Sequence, residues 1–156
     1  MKNNFYKNKD TKMGILENEK QLIEDFESLE DWEDKYKLII DMGKQLKDYP
    51  EEYRTEKYKI NGCQSQAWFH ADLKNGKIYL QADSDALIVK GLASMLLKVY
   101  SGHCPSEILA TPPEFLKEIG IAQHISPTRN NGLSSMLKQI QMYALAFKAL
   151  EKKQSE

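Results

Sequence analysis

The sequence predicts an α+β fold in which a three-stranded antiparallel sheet packs against helices. Three observations lead there. Between residues 57 and 82 apolar residues alternate with polar ones, and the runs are parted by Asn61-Gly62 and Lys74-Asn75-Gly76, which are tight-turn signals. On either side of that stretch the apolar residues recur at helical spacing instead. Short turns make the three strands an antiparallel meander, and its apolar face needs those helices to cover it.

Each element follows in order. Residues 1–17 carry Lys, Asn and Asp with little periodicity and read as a flexible tail ahead of a single domain over 18–153. From Gln21, residues Leu22, Ile23, Phe26 and Leu29 share a helical face. Asp31 is a suitable N-cap for a second helix, with Glu33 and Asp34 at the positive end of its dipole. Trp32, Tyr36, Ile39, Ile40, Gly43 and Leu46 line its core stripe, and Tyr49-Pro50 stops it. Residues 51–56 are polar and read as a connector.

Tyr58 and Ile60 alternate with Lys57 and Lys59 in a first short strand; a second covers 65–73 and a third 77–82. Asp83-Ser84-Asp85 then offers capping residues to an apolar helix over 86–100. Gly91 inside that helix costs roughly 1 kcal/mol against alanine, which points to a close backbone contact, expected with the sheet. Brief helices over 105–109 and 113–119 are split by Thr111-Pro112-Pro113. The polar stretch 123–132 reads as a loop stiffened by Pro127. A last amphipathic helix, 133–152, turns Leu133, Met136, Leu137, Ile140, Tyr143, Ala144 and Phe147 inward.

Composition narrows the function. The chain has 156 residues, 41% apolar and 29% charged, as one soluble domain requires. A net charge of -1 supplies no basic field for nucleic acid. No apolar run nears the ~20 residues that cross a bilayer, and the N-terminus lacks a secretory signal. The cytoplasm is the expected compartment, where the two cysteines stay reduced.

One of them, Cys63, stands on the glycine turn between two predicted strands. That placement gives a partner's sulfur access, and Gly62 lets a donor loop come close. An ordinary thiol is only a few per cent ionised at neutral pH, enough for sulfur exchange at close range. Gln64, Ser65 and Gln66 offer no base, so a cysteine hydrolase would need His70, His103 or His124 brought in by folding. A zinc or iron–sulfur site wants four ligands, and Cys63, Cys104 and two histidines match no paired-ligand spacing. Neither a phosphate-cradling glycine loop nor a nucleophile elbow is present.

Three blocks in compatible order carry a resemblance. They are Gly62-Cys63-Gln64-Ser65-Gln66 with Trp68, then Asp83-Ser84-Asp85 with Ile88-Val89-Lys90-Gly91-Leu92, then Gln123-His124-Ile125-Ser126-Pro127-Thr128-Arg129 with Gly132-Leu133. From about Glu19 to Phe147 the chain resembles the SufE family. The resemblance implies a fold shared with NifU/IscU-type scaffolds. It also implies a protein that accepts sulfane sulfur from a SufS-type, pyridoxal-phosphate-dependent cysteine desulfurase, stimulates it, and passes the sulfur on to a downstream scaffold for iron–sulfur cluster assembly.

Cys63 then matches the persulfide acceptor, with Gly62, Gln64, Ser65, Gln66 and Asp85 facing the partner. Arg129 matches a loop arginine that supports the cysteine loop or its thiolate. Pyridoxal phosphate belongs to the partner, and this chain is expected to hold no cofactor or metal. Cys104 matches no family motif. The competing readings are a NifU-type cluster or metal scaffold, and an activator that carries no sulfur. The same motifs fit a CsdA-type desulfurase equally well.

Overall fold

The computed structural model describes residues 14–155. Of the expected tail, residues 1–13 lie outside that range, and the remainder already enters helix α1 (Ile15–Glu27). Ile15, Glu19, Leu22 and Phe26 form its buried stripe. The run Glu17-Asn18-Glu19-Lys20 hides this early start from the hydrophobic pattern. Helix α2 (Trp32–Lys44) is capped as its sequence predicts: the Asp34 amide donates to Asp31 Oδ1 at 2.9 Å.

The sheet has two strands rather than three. Strands β1 (Ala67–Lys74) and β2 (Lys77–Ser84) pair antiparallel, with Ala67 opposite Ser84 and Lys74 opposite Lys77. The expected first strand survives as a single bridge, Lys59 opposite Trp68, beside the hydrogen bond from the Ile60 amide to the Ala67 carbonyl (2.8 Å). The cause lies just upstream. Glu51–Tyr53 and Glu56–Tyr58 coil into 3₁₀ turns, and Tyr53 stacks on His70 while Tyr58 meets that ring edge-on. Only two residues stay extended before Gly62 turns the chain.

Phe69, Ala71, Ile78, Leu80 and Ala82 lie on the buried face of the hairpin and pack with α3 (Leu87–Tyr100). Gly91 of α3 does make the close contact its cost foretells, but with α2. A side chain on Gly91 would fall on the Ile39 carbonyl, and one on Gly43 would stand 2.7 Å from the Gly91 nitrogen. Paired glycines thus let the two helix backbones touch.

Asp83-Ser84-Asp85 does not cap α3. The N-cap position is Ala86, which makes no side-chain capping bond; Asp83 and Asp85 are used elsewhere, and the Ser84 hydroxyl accepts the Ala86 amide at 3.2 Å just ahead of the helix. Helices α4 (Pro105–Ala110) and α5 (Glu114–Ile119) and a 3₁₀ turn at Ile121–Gln123 lead to α6 (Pro127–Ser155).

Helix α6 begins six residues before its apolar pattern does. Ser126 accepts the Arg129 amide on its hydroxyl (3.2 Å) and the Asn130 amide on its carbonyl (2.9 Å), and Pro127 fills the first helical position. Of the expected loop over 123–132, residues 127–132 are therefore helical. Among the described residues no helix is long and apolar enough to cross a membrane.

Candidate functional site around Cys63

The loop that carries Cys63 is fastened at both ends. At its start the Ile60–Ala67 hydrogen bond closes the six-residue span 61–66. At its end Gln66 is clamped by the junction between β2 and α3. The Gln66 carbonyl accepts from the Ser84 hydroxyl (2.8 Å) and the Asp85 amide (3.1 Å), while the Gln66 amide donates to Asp85 Oδ1 (3.0 Å). Asp85 thus ties the loop to the helix, which is what its side chain does instead of capping. Between the fastenings Asn61, Gly62 and Gln64 are exposed and Ser65 half-buried.

Cys63 is half-buried and free. Gly62 sits at φ +83°, in the left-handed region where glycine carries no steric cost, and this swings the next residue back toward α6. The Cys63 sulfur rests on Gly132: a Cβ there would stand only 3.1 Å from Sγ. A Cβ on Gly62 would likewise meet the Ser135 hydroxyl at 3.1 Å. Gly132 is buried inside α6, where glycine costs roughly 1 kcal/mol of helix propensity, and the sulfur occupies the room its missing side chain leaves. Gly132 was legible as part of a motif, but nothing local in the sequence shows that it is the seat of the thiol.

Burial pushes the Cys63 thiol above its ordinary value, and the Asp85 charge adds to that. A hydrogen bond from the Ser65 amide works against them without reversing the direction. The resting sulfur is therefore more fully protonated than a thiol in water. Moving it out toward solvent removes the burial penalty and raises the thiolate fraction.

Arg129 is exposed one turn before Gly132, on the same side of α6 by its three-residue spacing. Its backbone amide is held by Ser126, and its guanidinium makes no hydrogen bond to the cysteine loop among the described residues.

The histidines are committed elsewhere. His70 lies against Tyr53 with ring centroids 3.6 Å apart, His103 meets Asn18 at 3.1 Å, and His124 stacks on Trp32 at 3.8 Å. None hydrogen-bonds Cys63. Among the described residues no three His, Cys, Asp or Glu side chains converge as a metal ion requires. Cys104 stands at the opposite end of the hairpin, since its neighbour His103 bridges Ile78 near the turn whereas the Cys63 loop meets Ala67 and Ser84. Six strand residues separate those ends, about 20 Å.

One cluster escaped the sequence pattern. Arg54, in the polar connector, ion-pairs with Asp83, lies over Trp68 (5.3 Å) and Tyr49 (5.4 Å), and bonds Glu51 at 2.6 Å. Lys90 reaches Asp83 at 3.4 Å. Burial pushes the Asp83 carboxyl up, but Arg54, the Ser84 amide and Lys90 outweigh it and hold the group below its usual range. This network anchors the end of β2 that carries the Gln66 clamp.

The profile of the SufE family, described as an Fe-S metabolism associated domain, matches residues 20–144. The chain belongs to the SufE family. An uncharacterised SufE-like protein of Rhizobium etli is 43% identical to it, over 77% of this chain and 84% of that one. A SufE-like protein of Arabidopsis thaliana, chloroplastic/mitochondrial by name, is 39% identical over 80% of this chain and 34% of its own length. The solution structure of a hypothetical protein from Thermus thermophilus superposes with a TM-score of 0.71 at 28% identity, covering 86% of this chain and 96% of that one. The expected SufE membership is thus shown, together with an α+β fold built on an antiparallel sheet.

Proposed function

We propose that this SufE-family protein is a sulfur acceptor in iron–sulfur metabolism, with Cys63 as the atom that receives and holds the sulfur. The reading rests on one observation: the Cys63 sulfur is seated on Gly132 in a loop fastened only at its ends. Sulfur exchange requires a thiolate that a partner can reach, and this loop can supply one by leaving its seat without breaking the fold.

The donor is a cysteine persulfide on a SufS-type cysteine desulfurase, whose own pyridoxal phosphate supplies the chemistry that removes sulfur from cysteine. The Cys63 thiolate attacks the outer sulfur of that persulfide. A new sulfur–sulfur bond forms, the donor's sulfur–sulfur bond breaks, and the donor cysteine leaves as a thiolate. The outer sulfur keeps its proton, so one negative charge passes from Cys63 to the donor and no external oxidant is consumed. Cys63 then carries the persulfide to the scaffold on which clusters are built. Back on Gly132, the sulfur is sheltered from reductants in solution.

Gly62, Gln64, Ser65, Gln66 and Asp85 form the surface that the donor meets, and Arg129 stands within a side chain's reach of the moving loop to steady thiolate or persulfide charge. In a coupled turnover assay, Cys63→Ser should still bind the desulfurase yet give no stimulation; full stimulation by this variant would favour an activator that carries nothing. Hydrogen exchange of residues 61–66 should speed up on docking, and unchanged protection would refute the swing of the loop.

A further inference from the structure

A groove of about 570 Å³ opens between α3, the chain just after α2, and the hairpin, and it shares no residue with the Cys63 loop. That volume is in the range of built ligand sites. Its rim carries Lys47, Lys74 and Lys98 against one carboxylate, Asp72, which already lies 3.6 Å from His70 Nε2. Three positive groups against one negative run counter to a chain whose net charge is -1. Among the described residues these three lysines form no ion pair, as is true of most lysines of the chain, so their charge is left for a ligand.

The lining also carries apolar side chains. Leu97 is half-buried, and the Tyr79 ring is 42% exposed, one of the few large apolar side chains left open to solvent. The Ser101 hydroxyl accepts the Leu80 amide at 2.9 Å, so its own proton is left to donate. The groove therefore offers cations from three different segments of the chain, a hydroxyl donor and apolar contact. A compact inorganic anion leaves the apolar part of the lining wet. A chain with carboxylates spaced by apolar side chains satisfies all of them.

We propose that this groove is a docking site for an acidic, extended polypeptide segment of a partner protein, separate from the surface that presents Cys63. The proposal does not depend on sulfur transfer and stands or falls by itself. Its test is fluorescence anisotropy with a labelled peptide of alternating Glu and Leu, using the full chain. Binding should saturate and weaken as salt rises.

Charge reversal by Lys47→Glu with Lys98→Glu should weaken binding about tenfold or more, and Lys47→Gln with Lys98→Gln should give a smaller loss in the same direction. Lys20→Glu with Lys138→Glu, exposed on α1 and α6 and not part of the groove's lining, should change it less than about twofold. Circular dichroism of each variant checks that the fold is kept. Three results would overturn the proposal: no binding to the wild-type chain, equal losses in groove and control variants, or displacement by citrate as efficient as by unlabelled peptide, which would reassign the groove to small anions.

Discussion

The two cysteines form a natural experiment, because they share a residue type, a half-buried setting and a thiol pushed above its ordinary value. What differs is the cause. Burial raises both, but Cys104 also donates to Glu107 Oε1 at 3.0 Å, at the head of the short helix α4. A carboxylate that accepts the thiol proton stabilises the protonated form wherever the sulfur goes within reach. Cys63 has no such partner. Its raised value comes mainly from a seat on Gly132 that a loop movement vacates. Burial is the larger cause for both thiols, but Cys104 is held by a carboxylate as well, so exposure alone would free Cys63 more fully than Cys104.

The widest separation between the two should appear in sulfur acceptance. Incubated with a desulfurase and cysteine, Cys63→Ser should gain no sulfur at all, while Cys104→Ser should match the wild type. Next comes the seat itself. Gly132→Ala puts a methyl group where the sulfur rests, so Cys63 should react with iodoacetamide roughly three- to tenfold faster, as a fall of about half to one pKa unit implies. Cys104 should be unaffected, and an unchanged Cys63 rate would mean that Gly132 does not confine the thiol.

The pH profile gives a finer test. Because the thiolate is the nucleophile and both pKa values are raised, alkylation at each site should climb with pH through a midpoint above that of free cysteine. Adding desulfurase should move the Cys63 midpoint down and leave the Cys104 midpoint in place. The smallest effect belongs to Glu107→Gln, which removes a charge and a carboxylate acceptor but leaves burial. Cys104 alkylation at neutral pH should rise about two- to threefold, with Cys63 unmoved.

How much of this was legible beforehand follows the range of each interaction. The hairpin turn at Asn75-Gly76, the Asp31 cap and the turn at Asn61-Gly62 are written in residues a few positions apart and fold as they read. The strands expected at 65–73 and 77–82 form two residues later at their outer ends, as Ala67–Lys74 and Lys77–Ser84. The loop's mechanics are not written locally. Ser84 and Asp85 looked like caps for α3 because the residues that outbid the helix for them, Gln66 above all, lie nearly twenty positions away. The first of the three expected strands, around 57–60, was lost to Tyr53 and Tyr58 finding His70, which period-two alternation cannot foresee. Helix α6 was read too short because its first turns carry no apolar residue, though Ser126-Pro127 was a start signal in plain view. Gly132 stood in the motif, and its purpose emerges only once Cys63 is folded against it.

The most direct measurement is to load the wild-type chain with desulfurase and cysteine, alkylate it, and weigh first the intact protein and then its peptides. The account predicts one added sulfur atom, borne by the peptide with Cys63, and an unmodified Cys104. Sulfur found on Cys104, or on neither residue while the desulfurase is stimulated, would contradict it.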